Sequence, residues 1–416
     1  MSTRLTTSIS LHGKTYQLPQ QPTVVVCIDG FDPEYLQVGI RDEILPNMAS
    51  FLKNGFHRTA NCAMPSLTNP NNLSIITGTP TSVHGVAGNY YLDKETGKEH
   101  MIVDDSLMRG TTILAKMADA GVRVAAITAK DKLRRIIQHG LSPEKGSICF
   151  SAQCANECTE AEHGIQDVEQ WLGQTAPAQY SGELSLFVLD AGLKLLREER
   201  ADLFYLTLSD YVQHKHAPGS REANKFMQAI DTRLGEFVKL GAVVAVTGDH
   251  GMSDKSDEKG SPNVVFLEDF LHSKWTGCGA RVICPISDPF VKHHGALGGL
   301  VRVYLAETSA VEEMITECRK IPGVEVALSG KEAASVYEMP LDREGDIVVI
   351  SKKEFVIGGR QEEHDLSQLG GHRLRSHGGL SEVQIPLMRS KPVESKDVSE
   401  RRMWRNFDIF DLALNY

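Results

Sequence analysis

The sequence predicts an α/β fold, with a mostly parallel sheet between helices and a smaller α+β unit inserted into the chain. Three observations predict it. First, three short apolar runs each end in aspartate: Thr23 to Ile28 before Asp29, Leu203 to Ser209 before Asp210, and Ala242 to Gly248 before Asp249. Such runs, rich in β-branched or aromatic residues and free of charge, read as strands buried on both faces. Second, these runs alternate with helix-like stretches, which implies right-handed crossovers and helices on both sheet faces. Third, the pattern changes after Asp254.

The elements follow in chain order. After the strand ending at Asp29, Leu45 to Asn54, Asn71 to Thr77 and Thr111 to Ala120 read as helices. Val122 to Thr128 is a further buried strand, ending near Lys130. Leu186 to Glu199 is helical, then come the strand to Asp210, a helix from Arg221 to Leu240, and the strand to Asp249. Ser253 to Asn263 is polar and carries Gly260 and Pro262, so it reads as a boundary loop. Beyond it, strands are expected at Leu300 to Leu305, Val324 to Leu328 and Ile347 to Ser351, with helices at Ser309 to Lys320 and Lys331 to Glu338. We divide the chain into a core of residues 1–261 and 373–416 and an inserted unit of residues 262–372, lying over the sheet edge where the aspartates emerge. A final helix is expected within Trp404 to Tyr416.

Bulk properties narrow the function. The 416 residues suffice for a large core and a second unit. A net charge of −10 argues against nucleic acid as a partner. No apolar run is long enough for a transmembrane helix, and Met1 to Gln20 lacks the apolar stretch of a signal peptide. The eight cysteines show no framework; Cys154 and Cys158 are the closest pair. Reduced, structural cysteines in a cytoplasmic enzyme are expected.

Ligands of open α/β sheets bind beyond the carboxyl ends of the strands. Three carboxylates delivered there repel one another unless a cation sits among them. Asp210 and His214 are four apart, so a helix starting after Asp210 places both on one face. Asp249 and His250 are adjacent and flanked by Gly248 and Gly251, and His377 follows in Ser376-His377-Gly378-Gly379. One set of Asp, His and His and another of Asp, Asp and His fit zinc. Each aspartate taken singly could instead be the N-cap of the next helix. His84, His139, His163 and His372 read as surface or loop residues, and His293-His294 is ambiguous. A nucleophile is suggested by Thr68, ahead of Pro70 at a helix entry, where free amides stabilise an anion. On local sequence alone, a simple capping role for Thr68 is the plainer reading.

Together these segments resemble the alkaline phosphatase superfamily of metal-dependent phosphohydrolases. The resemblance is carried by Asp29, Thr68, Asp210-x-x-x-His214, Asp249-His250-Gly251-Met252 and Ser376-His377-Gly378-Gly379, in that order. The threonine places it nearest the nucleotide pyrophosphatase/phosphodiesterase branch. The resemblance implies an alkaline-phosphatase-like core with an inserted cap. It implies one zinc on Asp210, His214 and His377, and a second among Asp29, Thr68, Asp249 and His250, with Asn89 on a phosphoryl oxygen. Manganese or iron could fill the same ligands. A homodimer is a family expectation.

The segments Val26-Cys27-Ile28-Asp29-Gly30-Phe31-Asp32, Ser66 to Asn72 and Thr128-Ala129-Lys130-Asp131-Lys132 look most like the members that hydrolyse the carbon–phosphorus bond of phosphonoacetate. That reaction expels carbon, which is feasible only if charge spreads into an adjacent carboxylate as an enediolate. Cations must then surround that carboxylate. Lys130 and Lys132 are expected to supply them, with Arg281 closing from the insertion. The implied reaction passes through a phosphothreonine and yields acetate and phosphate. One rival is a phosphodiesterase or phosphomonoesterase, for which Tyr90, Tyr91 and Tyr211 could line an aryl slot. Another is a metalloprotein that binds phosphonate without turnover.

Overall fold

A computed structural model describes residues 7–289, 292, 294–393, 395, 398, 401 and 403–416. His293 and the first six residues of the N-terminal reading therefore lie outside the described residues. In chain order the core strands are β1 (Thr23–Ile28), β2 (Phe56–Asn61), β3 (Val124–Thr128), β4 (Ile148–Ser151), β5 (Leu203–Thr207) and β6 (Val243–Gly248). The insertion contributes β7 (Arg281–Ile283), β8 (Leu300–Tyr304), β9 (Val324–Ser329) and β10 (Ile347–Ser351), after which the core resumes with β11 (Gln384–Arg389).

The predicted α/β class is the observed one. The main sheet has seven strands in the order β2-β11-β6-β1-β5-β3-β4. Pairing is parallel from β6 through β1, β5 and β3 to β4. At one edge β11 runs antiparallel to both β6 and β2. The central strands alternate between two apolar layers. Val24, Val26, Phe204 and Val244 face the helices Glu183–Arg197 and Arg221–Lys239. Val25, Tyr205 and Ala245 face the other layer, with residues of Thr68–Thr77, Ile113–Asp119 and Ile409–Leu414. Each fully buried Val, Leu or Phe contributes about 1.5–3 kcal/mol. These layers are therefore ample to hold the strand ends rigid.

Register delivers the aspartates to one edge. Cys27 lies opposite Thr207, and Ile28 opposite Gly248. Asp29, Asp210 and Asp249 thus leave the sheet on the same side within a few residues of their strand ends. Gly30 turns the chain at φ 67°, a left-handed conformation that glycine adopts without strain.

The inserted strands form a four-stranded antiparallel sheet, β7-β8-β10-β9, with its own apolar cluster. The chain leaves and re-enters the core through a narrow neck, where Ser253–Asp254 pairs antiparallel with Arg375–Ser376. This pairing returns His377 to the vicinity of His250. The sequence reading did not include β2 and β11 on one side of the main sheet, β4 at its opposite edge, or β7 of the insertion, and two hairpins escaped it as well, Ser8–Leu11 with Lys14–Gln17 and Tyr90–Asp93 with Lys98–Met101. The expected C-terminal helix is shorter, a turn of 3-10 helix at Asn406–Asp408 running into Ile409–Leu414. Among the described residues, no helix is long and apolar enough to cross a membrane.

Candidate metal and phosphonate site

Helix Thr68–Thr77 starts three residues earlier than its sequence pattern suggested, and all ten of its residues are buried. Leu67 stands at the N-cap position, so Thr68 is the first helical residue and its hydroxyl does not cap the helix. Thr68 Oγ1 lies 3.3 Å from His250 Nε2 instead. Asn71 fixes the approach to this point: its side chain binds the backbone of Ala63, Pro65 and Leu67 at 2.7–3.1 Å. Asn72, one residue on, donates to the Thr68 carbonyl and to Asp249 Oδ2, and accepts from the Tyr205 hydroxyl at 2.7 Å.

The three histidines are oriented alike. His214 Nδ1 faces the Arg375 carbonyl at 2.7 Å, His250 Nδ1 the Gly251 carbonyl at 2.8 Å, and His377 Nδ1 the Ser66 carbonyl at 2.9 Å. A carbonyl can only accept, so each Nδ1 carries hydrogen and each Nε2 is left to bind elsewhere. Those Nε2 atoms point at carboxylates. His214 Nε2 is 2.9 Å and His377 Nε2 3.8 Å from Asp210 Oδ2, while His250 Nε2 is 3.2 Å from Asp29 Oδ1. Each such Nε2 must therefore carry a proton or a metal ion, because a bare lone pair aimed at a carboxylate oxygen is repelled. His250 and His377 are stacked, with ring centroids 3.6 Å apart and an interplanar angle of 7°.

Two groups of ligand atoms lie close enough to grip an ion: Asp210, His214 and His377, and Asp29, Asp210 and His250, each with its atoms within 4.8 Å of one another. Asp210 is common to both. Asp249 stands slightly back: Oδ1 accepts from the Gly30 and His250 amides, and Oδ2 lies 3.7 Å from His250 Nε2. Neither oxygen of buried Asp29 has a well-aligned donor. Burial, with the Asp210 and Asp249 charges, pushes the Asp29 carboxyl well above the ordinary carboxylate range. Burial also pushes the His377 ring well below its usual value, helped by the charges of His250 and His214. An unsatisfied buried carboxylate facing oriented imidazoles suits a divalent cation.

Lys130, two residues past the buried strand β3 and at the N-cap position of helix Asp131–Ile137, is itself buried, with Nζ 3.0 Å from Asp210 Oδ1. Burial alone would lower its pKa, but the Asp210, Asp29 and Asp288 carboxylates outweigh that and raise it. Lys132 is half-buried, its side chain largely covered, with Nζ 3.4 Å from Asp288 Oδ2 of the insertion. Asn89 bridges core and insertion, accepting from the Asn69 amide at 3.3 Å and donating to the Ile286 carbonyl at 3.4 Å.

Arg281 sits differently from its expected role. Its guanidinium is ringed by Glu99, Glu268 and Glu363, so three carboxylates hold it. Of the tyrosines, Tyr211 packs edge-on against Tyr180 at 5.9 Å, while the Tyr90 hydroxyl donates to Glu99. His84 and His163 prove to be buried rather than surface residues; His84 binds Ser74 Oγ at 2.9 Å inside the core. His294 is buried with its ring 5.3 Å from that of His214, a neighbour the sequence left ambiguous. The described cysteines include no disulfide.

A family model described as type I phosphodiesterase / nucleotide pyrophosphatase matches residues 23–379. Crystal structures of phosphonoacetate hydrolase from Sinorhizobium meliloti 1021, in complex with phosphonoformate and with phosphonoacetate, superpose at a TM-score of 0.93. They are 44% and 43% identical and cover 98% of both chains. Murine ectonucleotide pyrophosphatase / phosphodiesterase 5 shares the fold at a TM-score of 0.62, with 16% identity over 94% of both chains. Among curated proteins, the phosphonoacetate hydrolase of Penicillium oxalicum is 69% identical over 32 residues, 8% of this chain and 44% of that one. An uncharacterized pyrophosphatase/phosphodiesterase of Schizosaccharomyces pombe is 23% identical over 256 residues, 58% of this chain and 46% of that one. The chain thus spans under half the length of these curated relatives.

Proposed function

The chain belongs to the type I phosphodiesterase / nucleotide pyrophosphatase family, and within that family we propose that it hydrolyses phosphonoacetate to acetate and phosphate through a phosphothreonine, with two zinc ions. The Sinorhizobium relative, crystallised with phosphonoacetate and 43% identical, supports the substrate. One observation carries the reading. A continuous line of buried groups runs from Thr68 through His250 and Asp29 to Asp210 and Lys130, with Lys132 beyond. This order supports Thr68 as the nucleophile, the aspartates and histidines as metal ligands, and the lysines as cations for a carboxylate next to the phosphonate.

Two zinc ions, one on Asp210, His214 and His377 and the other on Asp29, Asp249, His250 and Thr68, would draw charge from the phosphonyl oxygens and lower the threonine pKa. Thr68 Oγ1, having released its hydroxyl proton to water, attacks phosphorus while the carbon–phosphorus bond breaks on the opposite side. The bonding pair passes into the enediolate of acetate, which takes a proton from water. Lys130 and Lys132 stabilise that developing charge, a contribution of the kind worth about 3–4 kcal/mol per well-placed donor. Asn89 holds a phosphonyl oxygen. Water then cleaves the phosphothreonine, releasing phosphate and restoring Thr68.

The test is metal content per chain together with phosphate release from phosphonoacetate, before and after chelation. Phosphate release that disappears on chelation and returns with zinc is expected. A zinc-restored protein that leaves phosphonoacetate intact but cleaves an aryl phosphodiester would overturn the substrate, and the Tyr180–Tyr211 pair would then be the place to look for an aryl slot.

A further inference from the structure

Lys255 and Glu382 form an ion pair in the interior, Nζ to Oε1 2.9 Å, with the two residues 1% and 0% exposed. Neither takes part in the chemistry above. Each grips the backbone beside a metal-site histidine. Glu382 Oε2 accepts from the Gly379 amide at 3.1 Å, two residues past His377. The Glu382 carbonyl accepts from the Gly251 amide at 2.7 Å, next to His250. One residue therefore binds both loops whose imidazoles stack 3.6 Å apart.

Lys255 completes the clamp. Its amide donates to the Leu374 carbonyl at 2.8 Å, across the neck that returns the chain to His377. Its ammonium donates to the Lys353 carbonyl at 2.8 Å, just past β10 of the insertion. Gly378, between His377 and Gly379, has φ 111°, so this loop holds a backbone shape available chiefly to glycine. A fold needing only cohesion here would be served as well by apolar side chains, because burying two charges costs most of what their attraction returns.

We propose that Lys255 and Glu382 are positioning residues that set zinc affinity, by holding the His250 and His377 rings with both Nε2 atoms turned toward the carboxylates. This rests on the reading of those histidines as zinc ligands. Groups that orient metal ligands typically change affinity by about 10–100-fold when lost.

The test is a competition titration of zinc against a chromophoric chelator, on the full chain and on a Lys255→Met/Glu382→Leu double variant. The double variant removes both charges, so neither is left buried alone. Zinc binding weakened by about 10–100-fold is expected, with the melting temperature of the chelated protein close to the parent's. Should that variant not fold, Lys255→Met/Glu382→Gln likewise leaves no charge buried alone and keeps an acceptor for Gly379, and about tenfold weaker zinc is expected. Parental zinc affinity in a folded variant would overturn the proposal and leave the site reading intact. A parent that binds no zinc would overturn the site reading, and this proposal with it.

Discussion

Lys130 Nζ lies 3.0 Å from Asp210 Oδ1, while the other oxygen of the same carboxylate faces His214 and His377. One carboxylate thus joins a lysine proposed to meet substrate and two imidazoles proposed to meet metal. Removing one partner of a buried pair leaves an uncompensated charge, typically at a cost of about 3–5 kcal/mol. A divalent cation beside Asp210 would supply much of the missing compensation. Lys130→Met should therefore lower the melting temperature of the chelated protein by several degrees, and that of the zinc-loaded protein by clearly less. Equal losses in the two states would separate Lys130 from the metal site.

Lys132 is the cleaner probe of substrate carboxylate binding, because its partner is Asp288 of the insertion and not one of the proposed ligands. Burial pulls its pKa below the ordinary lysine value despite that carboxylate. Lys132→Met should reduce kcat/KM for phosphonoacetate by about 100-fold or more, the scale of losing one well-placed electrostatic donor. Turnover of an aryl phosphodiester, which has no carboxylate to bind, should change only a few-fold. Parallel loss on both substrates would count against a carboxylate-binding role.

The central part of this architecture was readable because its physics is local. A strand buried on both faces needs unbroken apolar residues, so Val24 to Ile28 and Val243 to Val246 announce themselves, and the aspartate after each marks the sheet edge. The i, i+4 relation of Asp210 and His214 is equally local: the His214 amide donates to the Asp210 carbonyl at 2.9 Å. What escaped depends on distant partners. Phe56–Asn61 is largely polar and Gln384–Arg389 carries Pro386, and they become strands through partners far away in sequence: Phe56 pairs with Arg389 and Asn61 with Gln384, and β11 also pairs with β6. Arg281 looked free in sequence, but Glu99, Glu268 and Glu363 converge on it from three separate segments. Asn71 and Asn72 read only as the start of a helix, although their side chains tie down the entry to Thr68 and the Asp249 carboxylate.

Thr68 Oγ1, 3.3 Å from His250 Nε2, is the proposed nucleophile. Acid quenching during turnover of phosphonoacetate, followed by mass spectrometry, should show a phosphate adduct on the peptide containing Thr68. Thr68→Ala should show none and release no phosphate, whereas Thr68→Ser should retain the adduct at reduced turnover. Parental turnover by Thr68→Ala would remove Thr68 from the mechanism.

Asn72 links Tyr205 to the site, accepting from its hydroxyl at 2.7 Å and donating to Asp249. Asn72→Leu strands a buried hydroxyl, at a cost of about 1–3 kcal/mol. Tyr205→Phe removes that hydroxyl, so the second change should cost little once the first is made. Urea denaturation of both single variants and the double should show a coupling of about 1 kcal/mol or more. Additive losses would show that the bond contributes nothing of its own.

Metal removal should make stability depend on pH with a definite sign. Burial alone would push His250 down, but the nearby Asp249, Asp29 and Asp210 carboxylates outweigh it and hold the ring at about 9 in the metal-free protein. Its unfolded value is about 6.5. Between these values the folded chain binds more protons than the unfolded one, so stability falls as pH rises. The contribution is fully present below about pH 6.5 and is lost as pH climbs through the folded value. His377, held well below its usual value, is neutral in the folded chain throughout this window, so its unfolded ring, losing its proton around pH 6.5, offsets part of the fall near that pH but none of it well above. Zinc bound at the proposed site would replace the His250 proton and should remove most of the dependence. The chelated protein should therefore melt at progressively lower temperature from pH 6.5 to 8, while the zinc-loaded protein stays nearly level. The gap between the two melting curves should widen across that range. A gap that stays constant or narrows would mean that His250 does not exchange its proton for the metal.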